Sequence, residues 1–460
     1  MKKIYILLTC LFLSQSCNVL DQASPNDVND LLVFNSEDGA NAALIGLYNS
    51  LQSRDYYGGY YPLIADLYSD VGTSGGFDNV ALDEISILEV TTSNIIIENT
   101  WLALYYTIAT ANAIITRVDG VQDPDFTQDE KNHIKGQALA IRALAHFDAL
   151  RMFGEHWNPV SDYGIPVVTT IQKASDVQPR SAVQATYTAI VKDLNDAGTL
   201  LLADDRSKEF INRMTVKALL ARVYLYQGNR PAAYSAATAV INDGSYELLD
   251  ADNFGSMYQS PYLSDESIFE LTFNVQNRSA FNATTYSRTE ALRTEVLFLA
   301  ESGMSAFFED RTGDRRADLL DFVNNDVSIL PDGRTQKYRG EETRDNPAYI
   351  VRLADVYLIR AEAAGLAFGG LADLNAVRTN RGLPALTSGD FAGESEFRLA
   401  VLDERKAELN FEGTRMFDLA RAGLTSDVLG IDLYRSIFPI PFREIIATKG
   451  LIEQNPGYED

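Results

Sequence analysis

Between Thr215 and Asn242 the sequence reads as one helical run, a break at Gly228-Asn229-Arg230-Pro231, and a second run that aligns Tyr234, Ala237 and Ile241 on one face. A helix-turn-helix unit of this size is close to the tetratricopeptide length of about 34 residues, with small alanines where two helices must approach. One such unit cannot bury its own apolar face, so it is stable only when stacked on others. Similar pairs can be drawn over 36–118, 127–202 and 347–382. The chain is therefore expected to be mainly α, built from tetratricopeptide-like helix pairs.

The remaining helices read from spacing. From about Ser36 to Leu51, Ala43, Leu47 and Leu51 recur every four residues. Helices follow over Ile95 to Arg117 and Thr127 to Phe153. Trp101 shares a face with Tyr105, Ile108 and Asn112, which assigns it to core packing. The stretch from 246 to 345 has a different texture: Ser267 to Phe273 alternates like a short strand, and Asn274 to Arg288 is polar and loop-like. A long irregular insertion on a helical scaffold is where binding tends to reside. Tyr56-Tyr57-Gly58-Gly59-Tyr60-Tyr61 and Asp66 to Asn79 also read as loops rich in tyrosine and glycine, a composition that suits a carbohydrate site, although packing is the favoured role for these tyrosines.

Charge is threaded through the segment from Asn346 to Gly423. A first helix is expected to start at Asn346-Pro347, a second to run from Leu371 to Asn380, and a third to begin near Glu396. Glu404, Glu408 and Glu412 form a ladder along the third, because residues four apart share a helix face. Such a ladder could hold a metal or run acid-base chemistry. Arg405, Arg415 and Arg421 match it nearly one for one, and unpaired buried charge is costly, so a structural ion-pair network is the stronger reading.

Lys2 and Lys3 ahead of the apolar run Ile4 to Leu13 have the layout of a secretory signal, too short to span a bilayer. Cys10 and Cys17 are the two cysteines, both at or before the expected cleavage point, so the mature chain has no possible disulfide. Ser14-Gln15-Ser16-Cys17 is similar to a relaxed bacterial lipobox, and Cys17 is the expected lipidation site. The expected organisation is a signal peptide over 1–16, a lipidated tether over 17–35, and a single domain over 36–460. A net charge of −25 with no basic stripe argues against nucleic acid as a partner, whereas neutral sugars remain compatible.

Three motifs resemble the C-terminal signature of the SusD/RagB family: Arg352-Leu353-Ala354-Asp355-Val356-Tyr357-Leu358-Ile359-Arg360-Ala361-Glu362-Ala363, then Leu374-Asn375-Ala376-Val377-Arg378, then Glu404-Arg405 with Glu408 to Leu419. Met416 stands where an aromatic residue is common in that family. Arg142-Ala143, Phe147 and Phe153-Gly154, followed by Gly164-Ile165-Pro166 and Pro179-Arg180, are similar to its N-terminal half. Asp314-Arg315-Arg316, Lys337-Tyr338-Arg339, Phe438-Pro439-Ile440-Pro441 and Gln454 to Tyr458 look like further landmarks. The resemblance implies a right-handed α-superhelical scaffold with an irregular, loop-rich insertion containing a few short strands.

It also implies an outer-membrane lipoprotein facing the cell exterior. Such a protein captures an oligosaccharide or polysaccharide for a SusC-like TonB-dependent transporter, without catalysis or cofactor. Ligand contacts in the family come from variable loops, so no site residue carries over. The candidates Tyr57, Asp70, Phe77, Phe281, Asn282, Tyr286 and Arg288 are chosen on side-chain chemistry and loop location, since rings stack on sugar faces and polar groups bind hydroxyls. A peptide-binding RagB-like protein and a two-carboxylate glycoside hydrolase are the alternatives. A purely structural repeat scaffold is a third, which leaves the insertion without a use. The P-loop and H-E-x-x-H motifs are missing, and no metal site is expected. His133 and His146 lie 13 residues apart, more than three turns of one helix.

Overall fold

The computed structural model describes residues 33–74, 79–173, 176–280, 298–321, 333–338 and 343–458. Its first part comprises α1 (Glu37–Leu51), α2 (Tyr60–Leu67), the short strand β1 (Gly72–Ser74), α3 (Val80–Ser86), α4 (Ile95–Arg117), α5 (Gln128–Phe153), α6 (Val183–Leu200), α7 (Arg213–Tyr226) and α8 (Arg230–Ile241). The insertion contributes β2 (Ser267–Leu271), β3 (Phe298–Ala300), α9 (Ser302–Glu309), β4 (Leu320–Asp321) and β5 (Arg334–Thr335), and β6 (Ala348–Arg352) follows it. The last part comprises α10 (Leu353–Ala364), α11 (Gly370–Thr379), α12 (Glu394–Leu409), α13 (Arg415–Ala422), α14 (Thr425–Leu429) and α15 (Phe442–Ala447).

The helix pairs stack as the sequence requires. α1 packs on α4, α4 on α5, α5 on α6, α6 on α7, α7 on α8, and α8 reaches across the insertion to α10, which carries α11 and α12. Local chemistry fixes where these helices start. The Ser36 hydroxyl accepts from Gly39 N, Thr127 and Glu130 close a reciprocal capping box, and the Asn229 side chain accepts from Ala232 N beside Pro231. Each cap satisfies amides that the helix itself leaves open. Trp101 is buried as expected, tilted against Tyr105 and edge-on to Phe153.

The expected helix start at Asn346-Pro347 is corrected. Residues 348–352 form β6, antiparallel to β2 with Ser267 opposite Arg352, and the helix begins only at Leu353. Tyr349, Ile350 and Val351 are buried on both faces of this strand, so they show no alternation to separate strand from helix. The strand between Ser267 and Phe273 is present as β2. The loop reading of the tyrosine stretch is corrected in part: Tyr60 and Tyr61 open α2 and Asp66 and Leu67 close it, while Tyr56, Tyr57 and Tyr61 are core residues, in line with packing over ligand contact. Among the described residues, no helix is long and apolar enough to cross a membrane.

The C-terminal motif staples the two ends of the scaffold. The Asn455 amide donates to the carbonyls of Phe153 and Phe438 at 3.0 and 2.7 Å, and its oxygen accepts from Arg180 at 2.7 Å. Phe438 N donates to Met152 O at the end of α5.

Candidate functional site

Glu404 and Glu408 lie on α12, while Glu412 falls in the turn beyond its end at Leu409, and all three are occupied by cations. Glu404 receives Arg311, Arg316 and Arg378 at 2.7, 2.6 and 3.0 Å. Glu408 receives Arg316, Arg352 and Arg381 at 2.9, 2.9 and 2.8 Å. Glu412 is held by Lys337 at 2.7 Å and Arg352 at 2.8 Å. Glu266 and Asp314 complete the lattice, bridging Arg352 with Arg381 and Arg311 with Arg316. Burial alone would raise the carboxyl of Glu408; Arg381, Arg352 and Arg316 outweigh it and hold it well below the usual range. The network reading therefore stands, but with different cations. Arg405 pairs with Asp355 and Asp418, Arg421 with Glu362 and Asp418, and Arg415 with Asp70.

This lattice positions the insertion. Arg311, Arg316 and Lys337 enter from it and dock on α12, so two of the landmarks flanking the insertion are its electrostatic anchors. Three short strand contacts then gather the ends of its loops. Ser74 pairs with Phe298 and Gly72 with Ala300, Ala300 N donates to Gly333 O at 2.7 Å, and Leu320 pairs with Thr335. A second attachment lies at the start of α2, where Ala280 N donates to Gly58 O at 3.1 Å.

Among the seven expected ligand contacts, Tyr57 and Asp70 fall within the described residues. The Tyr57 ring stacks on Tyr56 in the core, and both hydroxyls donate to Asp148, at 2.7 and 2.6 Å. Burial and the Asp148 charge push the Tyr57 phenol well above its ordinary value. The structure thus assigns Tyr57 to a packed polar core rather than to an open face. Asp70 precedes β1 and accepts from Arg415 at 2.6 Å and from Lys406 at 2.8 Å, tying the strand to α12 and α13. Phe77, Phe281, Asn282, Tyr286, Arg288 and the lipidation candidate Cys17 lie outside the described residues.

Among the described residues, no cluster of His, Cys, Asp or Glu could hold a metal ion. His146 and His156 are buried, and desolvation pushes both down to about 3, so they are neutral imidazoles at physiological pH. The His146 Nε2 accepts from Val168 N at 3.1 Å, a structural contact between α5 and the segment beside it.

Stacked helix pairs that hold one irregular insertion on a buried ion lattice define the class: a helical-repeat scaffold with an anchored insertion. Residues 19–225 match the family described as starch-binding associating with outer membrane, and residues 324–458 match the SusD family. The chain belongs to the SusD/RagB family. A relative from Formosa agariphila, SusD-like protein P2, is 24% identical over 100% of both chains. The crystal structure of a SusD superfamily protein from Bacteroides thetaiotaomicron is 25% identical and superposes with a TM-score of 0.79, covering 91% of this chain and 99% of that one. A laminarin-binding SusD-like protein superposes with a TM-score of 0.77 at 24% identity, covering 92% of this chain and 100% of that one.

Proposed function

We propose that this protein is a lipid-anchored surface receptor that captures an oligosaccharide or polysaccharide and passes it intact to a SusC-like TonB-dependent transporter. One observation carries the reading. A scaffold whose buried glutamates on α12 are all paired to cations holds the loop ends of the insertion on one small strand framework, at the positions where the sequence concentrates rings and hydroxyl-binding side chains. Paired carboxylates of this kind suit a rigid support better than proton transfer. The laminarin-binding member of the fold supports a neutral glucan-like ligand.

Phe77, Phe281, Asn282, Tyr286 and Arg288 are the proposed contacts. Sugar faces stack on the rings, and Asn282 and Arg288 hydrogen-bond to hydroxyls. Cys17 carries the lipid, residues 17–35 tether the domain over 36–460, and the transporter closes against the loaded receptor.

Calorimetric titration of the mature chain against neutral and charged oligosaccharides and peptides, with product analysis, tests the reading. Saturable binding with the sugar recovered intact is expected. Cleaved products that vanish with one loop carboxylate would replace capture by hydrolysis, and binding confined to peptides would redirect the ligand class. Metabolic labelling with palmitate checks the anchor: label and membrane association are expected in the natural chain and lost in Cys17→Ala.

A further inference from the structure

A groove of about 450 Å³ runs between α1 and α4 and reaches Ser53 and Asp55 just beyond the end of α1. That volume lies within the range of small-ligand clefts, about 300–1,000 Å³. Its wall on α4 is a helical ladder. Tyr106 is 67% exposed, Leu102 one turn earlier is 47% exposed, and Asn99 stands a further turn back. The facing wall is Gly46, Asn49, Ser53 and Asp55. A Cβ at Gly46 would meet nothing within 4 Å, so the floor opposite the ring is open.

The polar groups are unspent. Neither Asn49 nor Asn99 has a side-chain hydrogen-bond partner among the described residues, nor does the Asp55 carboxylate. Tyr106 makes no ring contact with another aromatic there either. Leaving a large ring open on a rigid helix between two free amides is the arrangement that sugar recognition uses: the ring takes the C–H face, and each amide offers a donor and an acceptor to hydroxyls. Asp55 is the one carboxylate of the lining, and burial raises its carboxyl against the pull of the neighbouring Arg54. The turn that closes one end of the groove is tied to the insertion. Ser53 O accepts from Tyr56 N and Gly58 N, and Gly58 O in turn receives Ala280 N.

We infer that the α1–α4 groove is a second binding subsite for a neutral oligosaccharide, with Tyr106 as its stacking platform and Asn49 and Asn99 as its hydroxyl readers. This rests on the proposed capture of a glycan, and it places part of an extended chain along the helical scaffold rather than in the loops. A long glycan would then be held at two points, raising avidity over a short one.

The experiment records methyl resonances of Leu102 and Ala103 in the mature chain during titration with laminarihexaose, maltohexaose and xylohexaose to millimolar concentration. Saturable shifts with at least one hexasaccharide are expected. Tyr106→Ala should weaken that response about tenfold, the worth of one stacked ring, while Tyr106→Phe keeps it. Phe281→Ala with Tyr286→Ala should leave the methyl response in place. Silent methyls with all three sugars, or shifts indifferent to Tyr106→Ala, overturn the subsite. If the methyls stay silent while calorimetry shows binding that the Phe281/Tyr286 variant abolishes, the groove fails and the loop site stands. If the methyls respond and that variant leaves total affinity unchanged, the groove stands and the loop location fails.

Discussion

Arg316 and Glu404 meet at 2.6 Å with both side chains sealed from water, although 88 residues separate them in the chain. The contact welds the insertion to α12. Arg311 and Arg378 converge on the same carboxylate, so Glu404→Gln would leave three guanidiniums facing a neutral amide. Removing one partner of a buried charge network costs about 3–5 kcal/mol. Urea denaturation should report a loss of that order. The exposed pair Arg315–Asp318 is the control, and Arg315→Ala should cost less than about 1 kcal/mol. Equal losses for the two variants would mean that burial does not set the value of the lattice.

Asp70 gives the lattice a pH signature. Burial would raise its carboxyl, but Arg415 and Lys406 prevail and hold it at about 2 against an ordinary 3.8. A carboxylate depressed in the folded state contributes stability above its unfolded value and loses it as pH falls through the folded one. The Asp70 contribution, about 2 kcal/mol, is therefore present above about pH 4 and gone below about pH 2. Asp70→Asn should flatten the acid limb of a stability profile in this window. An unchanged limb would detach Asp70 from Arg415 and Lys406 in solution.

Glu270 behaves in the opposite sense. Burial in β2 pushes its carboxyl up to about 7, despite hydrogen bonds from Ser267 and Leu263 N. A raised folded value means that the folded protein keeps a proton the unfolded chain releases. Its favourable contribution is complete below about pH 4.5 and lost as pH rises through about 7. Glu270→Gln should remove that decline and equal or exceed the natural chain in stability at pH 8. Thermal midpoints at pH 5 and pH 8 decide it: a variant less stable at both values contradicts the assignment.

Much of this fold is legible in the sequence, because helix pairs announce themselves through caps and spacing. The helix Ile95–Arg117 lies where the apolar period places it, and the 127–202 and 215–242 pairs pack as drawn. Two-sided burial hides β6, since Tyr349-Ile350-Val351 shows no alternation that would separate strand from helix. The Tyr56–Tyr61 stretch misleads for a related reason: glycine and tyrosine suggest an open loop, while Asp148, more than 90 residues along the chain from Tyr56, is the group that buries their hydroxyls. The ladder Glu404–Glu408–Glu412 was readable as a network, but its cations come from Arg311, Arg316, Lys337, Arg352, Arg378 and Arg381. Spacing along one helix cannot show partners on other elements. The sequence signal that could have found them is the recurrence of arginine and lysine within the landmarks flanking the insertion.

Gly413 closes the turn between α12 and α13 with φ +73°, and its N–H donates to Asp66 at 2.8 Å. A Cβ there would lie 2.5 Å from Pro62 Cα, a backbone atom of α2 that cannot swing aside. Gly413→Ala therefore adds left-handed strain to a backbone clash, and a loss of about 2 kcal/mol or more is expected. Gly423 also has positive φ but nothing within 4 Å, so Gly423→Ala carries the strain alone and should cost less. Melting temperatures of the two variants separate clash from strain, and equal depressions would remove Pro62 from the account.

The division between scaffold and site predicts a crossed outcome for two kinds of aromatic substitution. Tyr57→Phe deletes a buried hydroxyl that donates to Asp148, leaving that carboxylate with Tyr56 and Arg151. An unmade buried hydrogen bond costs about 1–3 kcal/mol, so stability should fall while glycan affinity holds. Phe281→Ala with Tyr286→Ala should do the reverse, weakening affinity by on the order of 1 kcal/mol per ring with little change in denaturation midpoint. Both quantities are measured on each variant, by calorimetry and by urea titration. Affinity that falls with Tyr57→Phe but ignores the loop pair would move the ligand from the insertion to the Tyr56–Tyr57 turn, and would make Asp148 part of the binding site rather than of the core.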